Sequence, residues 1–123
     1  MRYIALLKAA PPSSLPPPGL MEAIGKLGEE ATKAGVLVDT AGLAPSATGA
    51  RVEVGKDVTV TDGPLTGSGE LSSYALYEVR DKGEAAEWTT RFMRIHREHW
   101  EGWEGTADAL KVIGPEDFTP PTS

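Results

Sequence analysis

Apolar positions along the chain change period several times, and the changes mark its elements. Arg2–Ala9 is a short, mostly apolar run that ends at a proline cluster, which predicts a strand. Ala10–Pro18 (APPSSLPPP) predicts an extended loop, because proline forbids both helix and ladder. Over Gly19–Ala34, Leu20, Ile24, Leu27 and Ala31 recur at helical spacing. Pro18 suits the start of that helix and Gly35 the left-handed position just past its end. Gly25 and Gly28 weaken the helix and point to close approach by another element.

Val36–Asp39 predicts a short strand and Ala41–Gly49 a loop. Ala50–Val54 and Val58–Thr61, separated by Gly55-Lys56-Asp57, predict a hairpin. Asp62–Gly69 (DGPLTGSG) predicts a turn followed by flexible chain, and Ser72–Arg80 alternates as a strand. Asp81 and Glu84 have capping-box spacing at the head of a second helix. On it Ala85, Trp88, Phe92, Ile95 and His99 are assigned to one apolar face, with Gly102 and Gly105 ending it. Ala109–Ile113 predicts a last strand. The order is thus β, α, β, hairpin, β, α, β: an α+β, ferredoxin-like split βαβ plan with an inserted β-hairpin. The domain spans 1–118, and 119–123 form a polar tail. A small sheet with helices on one face leaves the other bare, and a homodimer is the simplest way to cover it.

Composition narrows the function. The chain has 123 residues, enough for one domain that buries roughly two-thirds of its unfolded surface. A net charge of −6 opposes non-specific nucleic-acid or anionic-membrane binding. The absence of cysteine removes disulfides, thiolate catalysis and cysteine-held metals. Tyr3–Leu7 is stopped by Lys8, far short of the roughly 20 residues of a span and without a signal-peptide core. The expected location is the cytoplasm.

Six fragments, in order, carry a resemblance. They are Leu20-Met21-Glu22-Ala23-Ile24-Gly25-Lys26, Ala34-Gly35-Val36-Leu37, Gly42-Leu43-Ala44-Pro45-Ser46, Thr61-Asp62-Gly63-Pro64, Gly102-Trp103-Glu104-Gly105 and Gly114-Pro115-Glu116-Asp117-Phe118. Together they resemble the YCII-related family in its DGPF branch, from Met1 to Phe118. The resemblance implies a dimeric α/β barrel made of two ferredoxin-like units, with a pocket between sheet and helices. It implies no single reaction, although the family's assigned activities include dehydrochlorinase-type chemistry. There are departures. Leu65 stands where the branch has Phe, Gly69 where it has Lys, and Asp108-Ala109-Leu110 lacks the usual Arg. The first helix carries no histidine, so a site built on one does not carry over.

Asp62, at a strand end beside a Gly-Pro turn, is the leading candidate base, and the resemblance puts it at the pocket. The bland alternative is an Asp that holds its own turn by accepting backbone N–H bonds. His99, assigned to the stripe with Ile95, is the candidate proton partner, against a histidine bonded to a backbone carbonyl at the core edge. Trp100 and Trp103 are candidates to wall an apolar pocket, with dimer packing as the alternative. Asp39 and Ser46 are secondary substrate-binding candidates. No metal motif follows the histidines, and Gly67-Ser68-Gly69 lacks the features of a phosphate loop, so no metal or cofactor is expected. The expected function is an enzyme of proton-transfer chemistry (isomerisation, cyclisation or elimination) in an apolar pocket of a homodimer. A non-catalytic small-molecule binder on the same fold is the second expectation, and an interaction module without a pocket the third.

Overall fold

The computed structural model describes residues 1–10, 15–65 and 70–118. The proline loop at 11–14, the 66–69 segment and the tail at 119–123 lie outside the described residues. The elements run β1 (Arg2–Ala10), α1 (Pro18–Lys33), β2 (Leu37–Gly42), β3 (Ala50–Val54), β4 (Val58–Asp62), β5 (Glu70–Glu78), α2 (Lys82–His99) and β6 (Glu104–Lys111). The protein is α+β.

Four strands form one sheet in the order β2-β5-β1-β6, and β3 and β4 form a separate two-stranded ladder. Every pair in the larger sheet is antiparallel. Since β1 and β2 both oppose β5, they run parallel to each other, and the chain between them crosses over as α1. In the same way β5 and β6 flank β1, joined by α2.

The β1 alternation sets the layers. Tyr3, Ala5, Leu7 and Ala9 are buried, while Ile4 and Leu6 between them are only half-buried. Across the ladder Tyr3 meets Tyr77 and Ala5 meets Ala75. These residues join Val36, Val79 and Ala85 in the core, with Trp88 of α2 packed against them, and Leu27 and Ala31 of α1 line a small gap with Ala75 and Tyr77, so both helices lie over this face. Burial pushes the Tyr77 phenol up to about 12, since the ionised form would lose its hydration. The opposite face, with Ile4, Leu6, Tyr74, Leu76 and Leu110, has no element over it among the described residues.

Both helix starts follow from local chemistry. Pro17 and Pro18 open α1, where a missing N–H costs nothing. The Asp81 carboxylate caps α2 by accepting from the Glu84 backbone N–H at 2.9 Å. The Glu84 side chain does not close the expected box; it pairs with Arg80. Gly35 adopts φ 73° after α1. Gly28 only touches Leu37, and nothing approaches Gly25.

Two strands depart from expectation. β2 extends to Gly42 and pairs with β5 through Ser73. β6 begins at Glu104, five residues before the expected start and between the two glycines read as ending the second helix. Gly105 lies opposite Ala9, and its missing side chain lets Trp103 fold across the strand. A Cβ there would stand 2.6 Å from the Trp103 ring and 2.8 Å from the Lys8 carbonyl oxygen. That glycine is a close-approach residue inside a strand, not a helix terminator.

Candidate functional site

A cavity of about 500 Å³ opens between the sheet and the C-terminal half of α2. Leu7, Ala9 and Ser73 form part of its floor. Leu20, Met21 and Ile24 of α1 close one side, and Phe92, His96, Trp100 and Trp103 close the other. The rim is built by Thr40–Leu43, Pro45 and Glu70. The lining is overwhelmingly apolar and contains neither Lys nor Arg among the described residues.

His96 is the central polar group. It is buried, with its ring 4.7 Å from Trp103 and edge-on to Phe92 at the same centroid distance. Its Nδ1 lies 2.9 Å from the Phe92 carbonyl oxygen. A carbonyl can only accept, so Nδ1 carries the proton and donates. In the neutral ring Nε2 is therefore the acceptor, and it faces away from the helix backbone that holds Nδ1. No other hydrogen bond to the ring is made among the described residues. Burial pushes the imidazole pKa below its ordinary value, and the Phe92 bond opposes this only in part. At neutral pH His96 is an uncharged base.

Two further residues of the lining carry polar groups. The Ser73 hydroxyl is buried without a hydrogen-bond partner among the described residues, an expense a folded protein rarely carries without a reason. Glu70, opposite Ala9 in the β1–β5 ladder, is gripped by Ser46. The Ser46 hydroxyl donates to Oε1 at 2.5 Å and its backbone N–H to Oε2 at 2.9 Å. These bonds hold the Glu70 carboxyl below its usual range. The Leu65 N–H donates in turn to the Ser46 hydroxyl, at 2.9 Å. Ser46 thus ties the rim loop to the segment after β4.

The expected site residues separate. Trp100 and Trp103 do line the cavity. Ser46 is not in the lining but positions Glu70, which is. Asp62 ends β4 opposite Ala50, exposed and away from the cavity. His99 does not point inward: it is exposed and lies over the start of α1, where a Cβ on Gly19 would stand 3.6 Å from its Nδ1. Asp62 and His99 therefore do not meet in this cavity. Asp39 is on the face turned from the helices, where its carboxylate accepts from the Tyr74 hydroxyl at 2.8 Å and from the Thr40 N–H. That bond to Asp39 raises the Tyr74 pKa.

His96, Glu70 and Ser73 were missed. The signal for His96 lay in the helical phase. The buried residues of α2 are Ala85, Thr89 and His96, with Phe92 half-buried between them, spaced i, i+4, i+7 and i+11. Thr89 hides this phase because it is polar, yet its hydroxyl is satisfied within the helix by the Ala85 carbonyl at 2.8 Å. Nothing in the sequence marked Ser73 or Glu70.

Among the described residues no three metal-capable side chains come together, and no helix is long and apolar enough to cross a membrane. No family model and no curated protein matches this chain. The functional reading therefore rests on the site's own chemistry.

Proposed function

We propose that the cavity binds a small, largely apolar molecule and that His96 moves a proton to or from it. The observation that carries this reading is a neutral, buried imidazole, fixed through Nδ1 and unbonded at Nε2 among the described residues, in the wall of a 500 Å³ apolar cavity. A base held in one tautomer, uncharged and close to its substrate, meets the geometric and protonation needs of general acid–base catalysis. Isomerisation, cyclisation or elimination fits this equipment. In this reading His96 takes the role that the sequence assigned to the Asp62–His99 pair.

The strand order and the two crossover helices support a ferredoxin-like plan with β3–β4 as its inserted hairpin, the plan that the resemblance to the YCII-related family implies. The bare face with Ile4, Leu6, Leu76 and Leu110 supports a homodimer that joins two sheets into a barrel. Native mass spectrometry tests the assembly: a dimer mass supports it, and a monomer at micromolar concentration overturns it.

Deuterium incorporation tests the chemistry. A panel of uncharged ring ketones is incubated with the protein in D2O and followed by mass spectrometry. The wild type should speed exchange at the carbon next to the carbonyl, and His96→Gln should not. If ketones bind without exchange, the second reading, a non-catalytic binder, takes over. The observation favouring that reading is that, among the described residues, Glu70 is the one other titratable group in the lining, and Ser46 holds it as a carboxylate, so no acid partner stands beside His96.

A further inference from the structure

The cavity's polar groups share one charge preference. Glu70 is a carboxylate at its rim, and no Lys or Arg lines the walls or pairs with Glu70 among the described residues. The segments 11–14 (PPSS) and 66–69 (TGSG) contain no Lys or Arg in sequence either. An exposed acidic side chain is ordinarily left free to sample solvent. Glu70 is held instead, with both carboxylate oxygens bonded to Ser46, by its hydroxyl and its N–H. Each oxygen accepts one of these bonds and keeps capacity for another. The result is a fixed negative charge at the mouth of an apolar cavity, stabilised by neutral donors and with no counter-ion among the described residues.

The walls beside it are aromatic. Phe92, Trp100 and Trp103 present rings to the same space. Aromatic faces attract cations through their quadrupole, most strongly for the indole of tryptophan. Deeper in, Nε2 of His96 is an acceptor. A ligand carboxylate or phosphate would meet Glu70 with no cation to balance either charge. The chain's net charge of −6 opposes anions at longer range too.

Resting on the reading of this cavity as a ligand site, we propose that its ligand is an organic ammonium ion. The charged nitrogen sits at the Glu70 carboxylate, partly hydrated at the open rim, and the apolar body lies against Trp100, Trp103 and Phe92. Ser46 is the positioning residue, since it aims the carboxylate without touching the ligand.

Three probes with one benzene ring test this: phenethylammonium, 2-phenylethanol and phenylacetate, each titrated into the full chain at neutral pH by calorimetry. Phenethylammonium should bind at least about tenfold more tightly than 2-phenylethanol, and phenylacetate most weakly. Glu70→Gln should abolish the ammonium preference while leaving 2-phenylethanol within about twofold. Ser46→Ala should weaken ammonium binding alone, and it provides a second variant if Glu70→Gln does not fold. Equal or tighter binding of the alcohol or the carboxylate overturns the ammonium proposal but leaves the cavity as a ligand site. Failure of all three probes overturns both the proposal and the binding reading beneath it.

Discussion

The helix-covered side of the sheet and the β3–β4 hairpin are made from the same kind of sequence, alternating strands rich in aliphatic residues. On β1 the alternation puts Tyr3, Ala5, Leu7 and Ala9 under two helices. On the hairpin Val52 stands opposite Val60 and Val54 opposite Val58, and all four are 62 to 77 % exposed. Periodicity shows that a strand has an apolar face, not what that face meets. The first region has a core and a cavity. The second is a two-stranded ribbon, an arrangement only marginally stable in water on its own.

The largest test of this contrast is Leu20→Ala. Leu20 is 1 % exposed and lies between α1 and the cavity. Its truncation enlarges existing empty space and should cost about 2–3 kcal/mol, read as a lower urea midpoint with an unchanged slope. An effect no larger than a hairpin substitution would break the distinction between the two regions.

Gly105→Ala follows. The added methyl group must displace the Trp103 ring or the β1 backbone at Lys8, and the backbone is fixed by its ladder. The expected cost is about 1–2 kcal/mol. Because Trp103 moves, its fluorescence should shift to longer wavelength as the ring gains water. A stability loss without that shift would mean that the strand, not the indole, had yielded.

How much was legible follows the same divide. The two helices, the strands and their order could be read because proline, glycine and apolar spacing punctuate the chain clearly. The Gly55-Lys56-Asp57 turn and the strands around it were read almost to the residue. The cavity was less legible. Its tryptophans were readable because Trp100 and Trp103 flank Gly102, where the helical pattern ends and core packing is less expected. His96 was misassigned in favour of His99 because Thr89 reads as polar in the sequence, and only the structure shows its hydroxyl satisfied within the helix. Asp62 drew attention for its turn and its resemblance, yet the hairpin carries it outward. Glu70 and Ser73 acquire meaning only through contacts that are distant in sequence, from Ser46 and from the missing partner of a hydroxyl.

Titration separates the cavity from the surface in a third way. The pKa of His96 is lower in the folded state than in the unfolded chain, so the unfolded state binds the extra proton first as pH falls. The stability due to neutral His96 is therefore fully present above the unfolded histidine pKa of about 6.5, and is lost as pH falls from there through the folded value. His96→Gln should flatten this part of the curve, measured by urea unfolding at successive pH values. His99→Gln, at an exposed position, should leave it in place. The reverse result would return the buried role to His99.

The smallest effect belongs to the hairpin valines. Val58→Thr with Val60→Thr keeps β-branching and replaces exposed methyl groups with hydroxyls. Exposed substitutions of this kind usually change stability by less than about 0.5 kcal/mol. In a monomer the pair should leave the urea midpoint nearly unchanged, because their side chains already face water. In an assembly that covers the ribbon, the same change would place two hydroxyls in an apolar interface without partners. The two cases are distinguished by protein concentration. A midpoint independent of concentration in both proteins keeps the hairpin as an exposed arm. A midpoint that rises with concentration in the wild type and not in the double variant would show that the ribbon is itself part of an interface, and that the contrast with the cavity side holds only for the single chain.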